Sequence, residues 1–166
     1  AKKTGKRSAA SNDFLEPLAP TGVSASNVGT GRAFNNGAAT VTFSLPALSP
    51  AATSFTVTSS PGGYTGTGAS SPITVEGLQS ATAYTFTVTA TNAAGTSQAS
   101  AASASITATT VPAQMSAPTP TAGVNQNSIA FSAAADGGSA ITSFTVTGSD
   151  ATTGSGATSP IVIGDL

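Results

Sequence analysis

Residues 77–97 read GLQSATAYTFTVTATNAAGTS, and this stretch decides the fold. Apolar side chains recur at every second position of Tyr84–Ala90, with Thr between them. A period of two places apolar residues on one face of a β-strand, and β-branched Thr favours extended backbone on the other face. The stretch therefore predicts a long, half-buried strand that ends in a turn at residues 92–95.

Shorter segments with the same alternation lie on both sides of this strand. They are GVSASNV, AATVTFSLP, TSFTVTSS, SPITVEGL and ASITATT. Turns separate them every eight to twelve residues, and no helical periodicity is visible. This spacing is typical of an antiparallel β-sandwich, so we predict an all-β fold.

Three motifs recur in the same order at one spacing. VTFS at Val41 returns as IAFS, TSFTVT at Thr53 returns at Thr142, and SPITVEGL at Ser71 returns as SPIVIGDL, each after 88 or 89 residues. Such self-similarity indicates tandem copies of one unit. We assign a first repeat to residues 20–111 and the start of a second to residues 112–166, joined by the proline-rich segment TVPAQMSAPTP.

The second repeat is predicted to be truncated. At the 88-residue offset it stops at Leu166, and residues 79–111 of the first repeat have no counterpart. A sandwich without that central strand would expose its apolar inner face and a sheet edge. We therefore expect that the natural chain continues or that another chain donates the strand.

Residues 1–19 form a polar segment with a basic start, and Pro17 and Pro20 lie at its end. Proline disfavours helix and favours extended chain, so we predict an extended N-terminal anchoring arm. Its basic residues would meet an acidic surface and its apolar residues would dock on a partner. The alternatives are a solvated terminus and apolar residues that fold back onto the first repeat. The candidate particle-anchoring residues are Lys2, Lys3, Lys6, Arg7, Phe14, Leu15 and Leu18.

Composition excludes several classes of site. The chain has no His and no Cys, which rules out His-based acid–base catalysis, a Ser-His-Asp triad, disulfides, and thiolate or imidazole metal sites. Neither a calcium-loop pattern nor a glycine-rich phosphate loop is present. We expect no catalytic residue, no cofactor and no metal, and no segment is apolar enough to cross a membrane.

Two loops are candidate binding loops. GRAFNNGAAT (residues 31–40) carries Arg32 and a two-residue turn signal at Asn36-Gly37; an ordinary hairpin is the alternative. Residues 59–68 carry Tyr64, expected to be exposed, which would contact glycan or a neighbouring subunit; a plain loop is the alternative.

The opening stretch resembles fibronectin type III domains. In that family a Leu precedes a Tyr at the corner of the sixth strand, and Leu78 and Tyr84 occupy those places here. The resemblance covers residues 20–166 and implies tandem fibronectin type III-like antiparallel sandwiches, while it says little about function. Phe43 stands where the family usually has Trp, which implies a leaner core.

The segment NDFLEPLAPTGVSASNVGTGRAFNNGAATVTF (residues 12–43) and the Ser/Thr/Ala-rich repeats resemble virion structural proteins of tailed bacteriophages. That resemblance implies a non-enzymatic protein of the virion that projects its repeats as a fibre, stalk or decoration. The implied partners are capsid or tail subunits and further copies of the chain; a membrane or nucleic acid is not expected. The alternatives are a module that binds host-surface glycan, and accessory domains of an extracellular bacterial adhesin or polysaccharide hydrolase.

Overall fold

The computed structural model describes residues 15–29 and 31–164. The regular secondary structure in these residues is all β-strand, which confirms the all-β prediction. The strands pair antiparallel. The strands are β1 (Thr21–Asn27), β2 (Gly37–Ser44), β3 (Ser54–Ser60), β4 (Thr65–Gly68), β5 (Ile73–Leu78), β6 (Thr82–Asn92), β7 (Gly95–Thr96), β8 (Ile106–Ala108), β9 (Thr119–Gly123), β10 (Gln126–Ala130), β11 (Phe144–Thr147), β12 (Thr153–Gly156) and β13 (Ile161–Gly164).

The first repeat contains two sheets. One has the order β1-β2-β5, and the other has the order β4-β3-β6-β7 with β8 also paired to β6. Strand β3 therefore has a partner on each edge. On the β6 side Phe55 lies opposite Ala90, and Val57 lies opposite Val88.

The alternation of the opening stretch is seen directly in β6. Tyr84, Phe86, Val88 and Ala90 are all buried, and the residues between them are not. Packing across the sheets is shown by the rings of Phe43 in β2 and Phe55 in β3, whose centroids are 4.9 Å apart. The two apolar faces thus meet in one core, as a sandwich requires.

A serine ladder (Ser97, Ser100, Ser103) holds the segment between β7 and β8 against β6. Ser100 donates its backbone N–H to Val88 O at 2.9 Å, and Ser100 Oγ accepts the Val88 N–H at 2.9 Å. Ser97 makes the same two hydrogen bonds with the backbone of Ala90, and Ser103 makes them with the backbone of Phe86. All three serines are buried.

The ladder steps by three residues while β6 steps by two. Two residues of an antiparallel strand advance roughly 6.8 Å, whereas three extended residues would advance roughly 10 Å. The serine segment is therefore more contracted than a strand and cannot offer a backbone carbonyl to every N–H of β6. The Ser hydroxyls supply the missing acceptors, so the buried amides of β6 stay satisfied.

The second repeat has the sheet β13-β10-β9 and the two-stranded sheet β11-β12. Its aromatic pair reproduces that of the first repeat: the ring centroids of Phe131 and Phe144 are 4.8 Å apart. Phe131 N donates to Ser159 Oγ at 2.9 Å, as Phe43 N donates to Ser71 Oγ at 3.0 Å. The repeated motifs thus take equivalent local structures.

Clustering of Cα positions divides the described chain into two compact units. The first unit holds residues 15–27, 39–76 and 83–106. The second unit holds residues 28–29, 31–38, 77–82 and 107–164. Two loops of the first repeat therefore belong to the same unit as the linker and the second repeat.

Candidate functional site

The end of the predicted arm, residues 15–20, is attached to the first unit through its backbone. Leu15 O accepts a hydrogen bond from Asn92 Nδ2 at 2.8 Å, and Leu18 N donates to Ser49 Oγ at 2.9 Å. Pro17 and Pro20 are buried. The course of the segment is therefore held by residues far away in sequence.

The leucines of this segment point away from the core. Leu15 is 60% exposed and Leu18 is 48% exposed, although their backbone is held in place. Their exposure leaves both side chains accessible, and their role as anchors stays a prediction.

A third exposed leucine, Leu48, was missed by the sequence reasoning. It is 87% exposed and precedes Ser49, which binds the backbone of Leu18. We call Leu15, Leu18 and Leu48 the leucine patch. Its signal in the sequence is the segment LPALSP, where a Leu between prolines has no alternating neighbours that would bury it.

The remaining anchoring candidates lie outside the described residues. These are Lys2, Lys3, Lys6, Arg7 and Phe14. Only Leu15 and Leu18 of the predicted set can therefore be placed, and both lie at the surface of the first unit.

The loop that carries Arg32 is held by hydrogen bonds within itself and to residues 80 and 111. Its turn lies two residues before the predicted pair, at Phe34-Asn35, with Asn35 at φ 59° and Asn36 N bonded to Ala33 O at 2.9 Å. Gly37 instead begins β2, where an added Cβ would lie 3.0 Å from Leu78 O, so the position favours glycine. Arg32 Nε donates to Asn36 O at 2.6 Å, so the guanidinium braces its own loop.

Tyr64 is half-buried, although the sequence predicts an exposed ring. Its ring packs edge-on against Tyr84, with centroids 6.0 Å apart. Its backbone is tied to Ser59 by two hydrogen bonds, from Tyr64 N to Ser59 Oγ and from Ser59 N to Tyr64 O. The ring thus contributes to packing, which reduces the area that it can offer to a sugar.

The carboxylates of Asp150 and Asp136 each accept hydrogen bonds from residues of their own turn. Asp150 Oδ1 accepts hydrogen bonds from the Thr152 hydroxyl at 2.6 Å and from Thr152 N at 3.1 Å, and these bonds lower the pKa of Asp150. Asp136 Oδ1 accepts from Gly138 N at 2.8 Å. Within residues 15–29 and 31–164 there is no cluster of three acidic, His or Cys residues that could hold a metal.

The start of the linker is hydrogen-bonded within the second unit. Thr110 N donates to Gly137 O, and Val111 N donates to Arg32 O, both at 2.9 Å. The hydroxyls of Thr110 and Ser80 are 2.6 Å apart. The sequence predicts a linker stiffened by proline, but at residues 110–111 it is these hydrogen bonds that fix the chain.

The part of the chain that the structure describes has no helix with the length and hydropathy needed to cross a membrane. No curated protein matches the chain.

Several solved structures are similar in part. A multi-domain fragment of titin is 25% identical, with a TM-score of 0.46, over 55% of this chain and 32% of the fragment. The FN1–FN3 domains of chicken CNTN1 are 20% identical, with a TM-score of 0.47, over 70% of this chain and 42% of that one. This chain thus spans less than half the length of either structure.

The sequence profile of the fibronectin type III domain matches residues 18–106. The matched range begins at Leu18 of the leucine patch and ends at Ile106, the first residue of β8. Because the match covers more than half of the chain, the protein belongs to the fibronectin type III family.

Proposed function

We propose that this chain is a non-enzymatic structural protein of a tailed-phage virion. Residues 1–19 would fix it to the particle, and its sandwiches would project as a fibre, stalk or decoration. Fibronectin type III domains are typically structural or adhesion modules and generally lack catalytic function. The finer assignment to a virion is supported by the resemblance of residues 12–43 to virion proteins.

The observation that carries this proposal is the leucine patch. A backbone held by Asn92 and Ser49 presents Leu15 and Leu18 outward, beside the exposed Leu48. Because the backbone is already ordered, docking these side chains costs less conformational entropy than docking a free peptide. Four basic residues precede Leu15 in the sequence and would add electrostatic attraction to an acidic subunit surface.

The size of the patch suits attachment in many copies. Full burial of one exposed leucine is worth about 1.5–3 kcal/mol, and three partly exposed leucines give a modest gain once association costs are subtracted. A modest gain is multiplied when copies assemble on one particle. The proposed partners are therefore capsid or tail subunits and other copies of this chain, and the proposed location is the virion, after synthesis in the host cytoplasm.

The fixed linker supports a projecting role. Hydrogen bonds from Thr110 and Val111 hold the start of the linker in the second unit. Residues 110 and 111 are therefore held more firmly than in a flexible Gly/Ser linker, which favours a stalk or decoration over a loosely tethered binding domain.

Adhesion is the second candidate function, because the family includes adhesion modules. The array would then bind host-surface glycan through residues 59–68, or accompany an extracellular adhesin or polysaccharide hydrolase. The packing of Tyr64 against Tyr84 disfavours this loop as a sugar-stacking surface. Glycan-array binding that is lost in Tyr64→Ala would favour the adhesion function.

The test begins with phage particles purified by density gradient from the source culture. Mass spectrometry should find peptides of this chain in the particle band. Labelled chain is then added to particles stripped of it. Leu18→Ser combined with Leu48→Ser should reduce bound label about tenfold or more, since each tenfold corresponds to about 1.4 kcal/mol.

Val162→Ser is the matched control, because Val162 is 51% exposed but belongs to β13 of the second repeat. It should bind as the unaltered chain does. The proposal fails if purified particles lack the chain, or if the leucine double variant binds as well as the control.

A further inference from the structure

The loop between β1 and β2 is longer than its counterpart in the second repeat. The VTFS motif of β2 returns as IAFS at β10, so the β1–β2 hairpin corresponds to the β9–β10 hairpin. Only Val124 and Asn125 join β9 to β10, whereas residues 28–36 join β1 to β2. A two-residue connection is enough for an antiparallel hairpin, so the added length of the β1–β2 loop has another role.

The β1–β2 loop holds the start of the linker through its backbone. Val111 N donates to Arg32 O at 2.9 Å. Arg32 Nε in turn donates to Asn36 O at 2.6 Å, which braces the loop. Loop and linker belong to the same compact unit. The carbonyl group that binds Val111 is therefore presented by a loop with its own internal support.

A second connection between loop and linker runs through hydroxyl groups. Asn35 N donates to Ser80 Oγ at 2.8 Å, and Ser80 N donates to Asn35 Oδ1 at 3.2 Å. Ser80 Oγ lies 2.6 Å from Thr110 Oγ1, which donates to Val111 O at 3.0 Å. A hydroxyl group has a single proton to donate, so Ser80 must be the donor in its bond with Thr110. A chain of hydrogen bonds thus runs from Asn35 N to Val111 O.

Both backbone polar groups of Val111 are therefore connected to the loop. Its N–H binds Arg32 O directly, and its carbonyl oxygen is reached through Ser80 and Thr110. Thr110 is only 5% exposed, so water does not readily replace the partners of its hydroxyl. Hydrogen bonds in series polarise one another, so loss of one member weakens the others.

A turn of the second repeat contacts the same linker residues. Thr110 N donates to Gly137 O at 2.9 Å. A Cβ added to Gly137 would lie 2.5 Å from Thr110 O and 2.6 Å from Val111 O. Because this approach leaves no space for a side chain, residues 110 and 111 are closely packed as well as hydrogen-bonded.

We propose that the β1–β2 loop is a latch for the linker. The latch consists of Arg32, Asn35, Ser80, Thr110 and Val111. When it is closed, residues 110 and 111 are ordered; when it opens, they become part of the proline-rich linker. This inference stands apart from the proposed virion function, because it concerns the isolated chain and not its attachment to a particle.

The test measures amide hydrogen exchange of the full chain by NMR. Ser80→Ala removes the hydroxyl that connects Asn35 to Thr110, and it should speed exchange at Val111 about tenfold or more. Val57 is fully buried in β3 and should keep its rate. Ser139→Ala is the matched control, because Ser139 is exposed in the turn that follows Gly137; it should leave exchange at Val111 unchanged.

A second variant shortens the loop. Residues 29–37 are replaced by Val-Asn, the connection that the β9–β10 hairpin uses. Val28 N already donates to Ala38 O at 2.9 Å, so this pair can close the shorter hairpin. Exchange at Val111 should rise about tenfold or more, since Arg32 and Asn35 are gone, while Val57 stays protected. If the shortened chain does not fold, Ser80→Ala decides the question alone.

Three results would overturn the proposal. The first is equal exchange at Val111 in Ser80→Ala and Ser139→Ala. The second is a folded, shortened chain in which Val111 is as protected as in the unaltered protein. The third is equal acceleration at Val57 and Val111 in Ser80→Ala, which would mean that Ser80 stabilises the whole first repeat and not a latch.

Discussion

Replacing Ser100 with Ala tests the serine ladder that holds the end of the first repeat. The hydroxyl of Ser100 accepts the Val88 N–H at 2.9 Å and donates to Ala101 O at 2.8 Å. Ala keeps the backbone hydrogen bond from residue 100 to Val88 O but removes both hydroxyl bonds. Val88 is fully buried, so its N–H is left without an acceptor.

The expected cost follows from that orphaned amide. Leaving a buried donor unsatisfied costs about 1–3 kcal/mol, more than the net value of an average hydrogen bond. A loss of about 2 kcal/mol lowers the Tm of a domain of this size by roughly 8–16 °C. The change should also speed hydrogen exchange at Val88 and leave β1 unaffected.

Thermal and urea unfolding followed by circular dichroism measure this cost. Ser105→Ala is the matched control, because Ser105 is exposed in the same segment; its effect should stay within about 0.5 kcal/mol. If Ser100→Ala and Ser105→Ala differ by less than that amount, the hydroxyl does not stabilise β6 and our account of the ladder is wrong.

Two further changes probe the second unit. Gly137→Ala should destabilise this unit by about 2 kcal/mol or more, because Gly137 has φ +73° and an added Cβ would lie 2.5 Å from Thr110 O. Gly164→Ala is the control, because nothing lies within 4 Å of an added Cβ there. Equal melting curves for the two variants would contradict the prediction. Thr152→Val should raise the pKa of Asp150 towards its ordinary value in a ¹³C carboxyl titration, since the Thr152 hydroxyl bond is the largest cause of its lowering. A carboxyl group whose pKa is lowered by folding stabilises the folded state at pH values above its unfolded pKa, and this stabilisation is lost as the pH falls through its folded pKa. The loss of stability at acid pH should therefore be smaller in Thr152→Val. An unchanged pKa of Asp150 would refute the assignment.

The strand pattern of this protein was determined by its sequence. The alternation of Tyr84–Ala90 predicted a half-buried strand, and β6 has that form because side-chain direction in a strand depends only on its own backbone. The repeated motifs likewise predicted matching local structures, and the Phe43–Phe55 and Phe131–Phe144 pairs have nearly equal geometry.

The candidate site was only partly predictable. The sequence marked Leu15 and Leu18 as apolar residues in a proline-rich segment, but it did not reveal that Asn92 and Ser49 hold their backbone. Leu48 was missed because nothing in its own segment indicates that it lies beside Leu18. These contacts join residues that are 31 and 77 positions apart.

The tertiary structure alone decided the features that depend on neighbours across the fold. The sequence assigned no structure to residues 98–103, yet Ser97, Ser100 and Ser103 bind β6 through their side chains. The turn lies at Phe34-Asn35 and not at Asn36-Gly37, and Gly37 begins β2 where an added Cβ would meet Leu78 and Ala108. Local propensity allows several such arrangements, and only the buried hydrogen bonds and packing of the whole chain select among them.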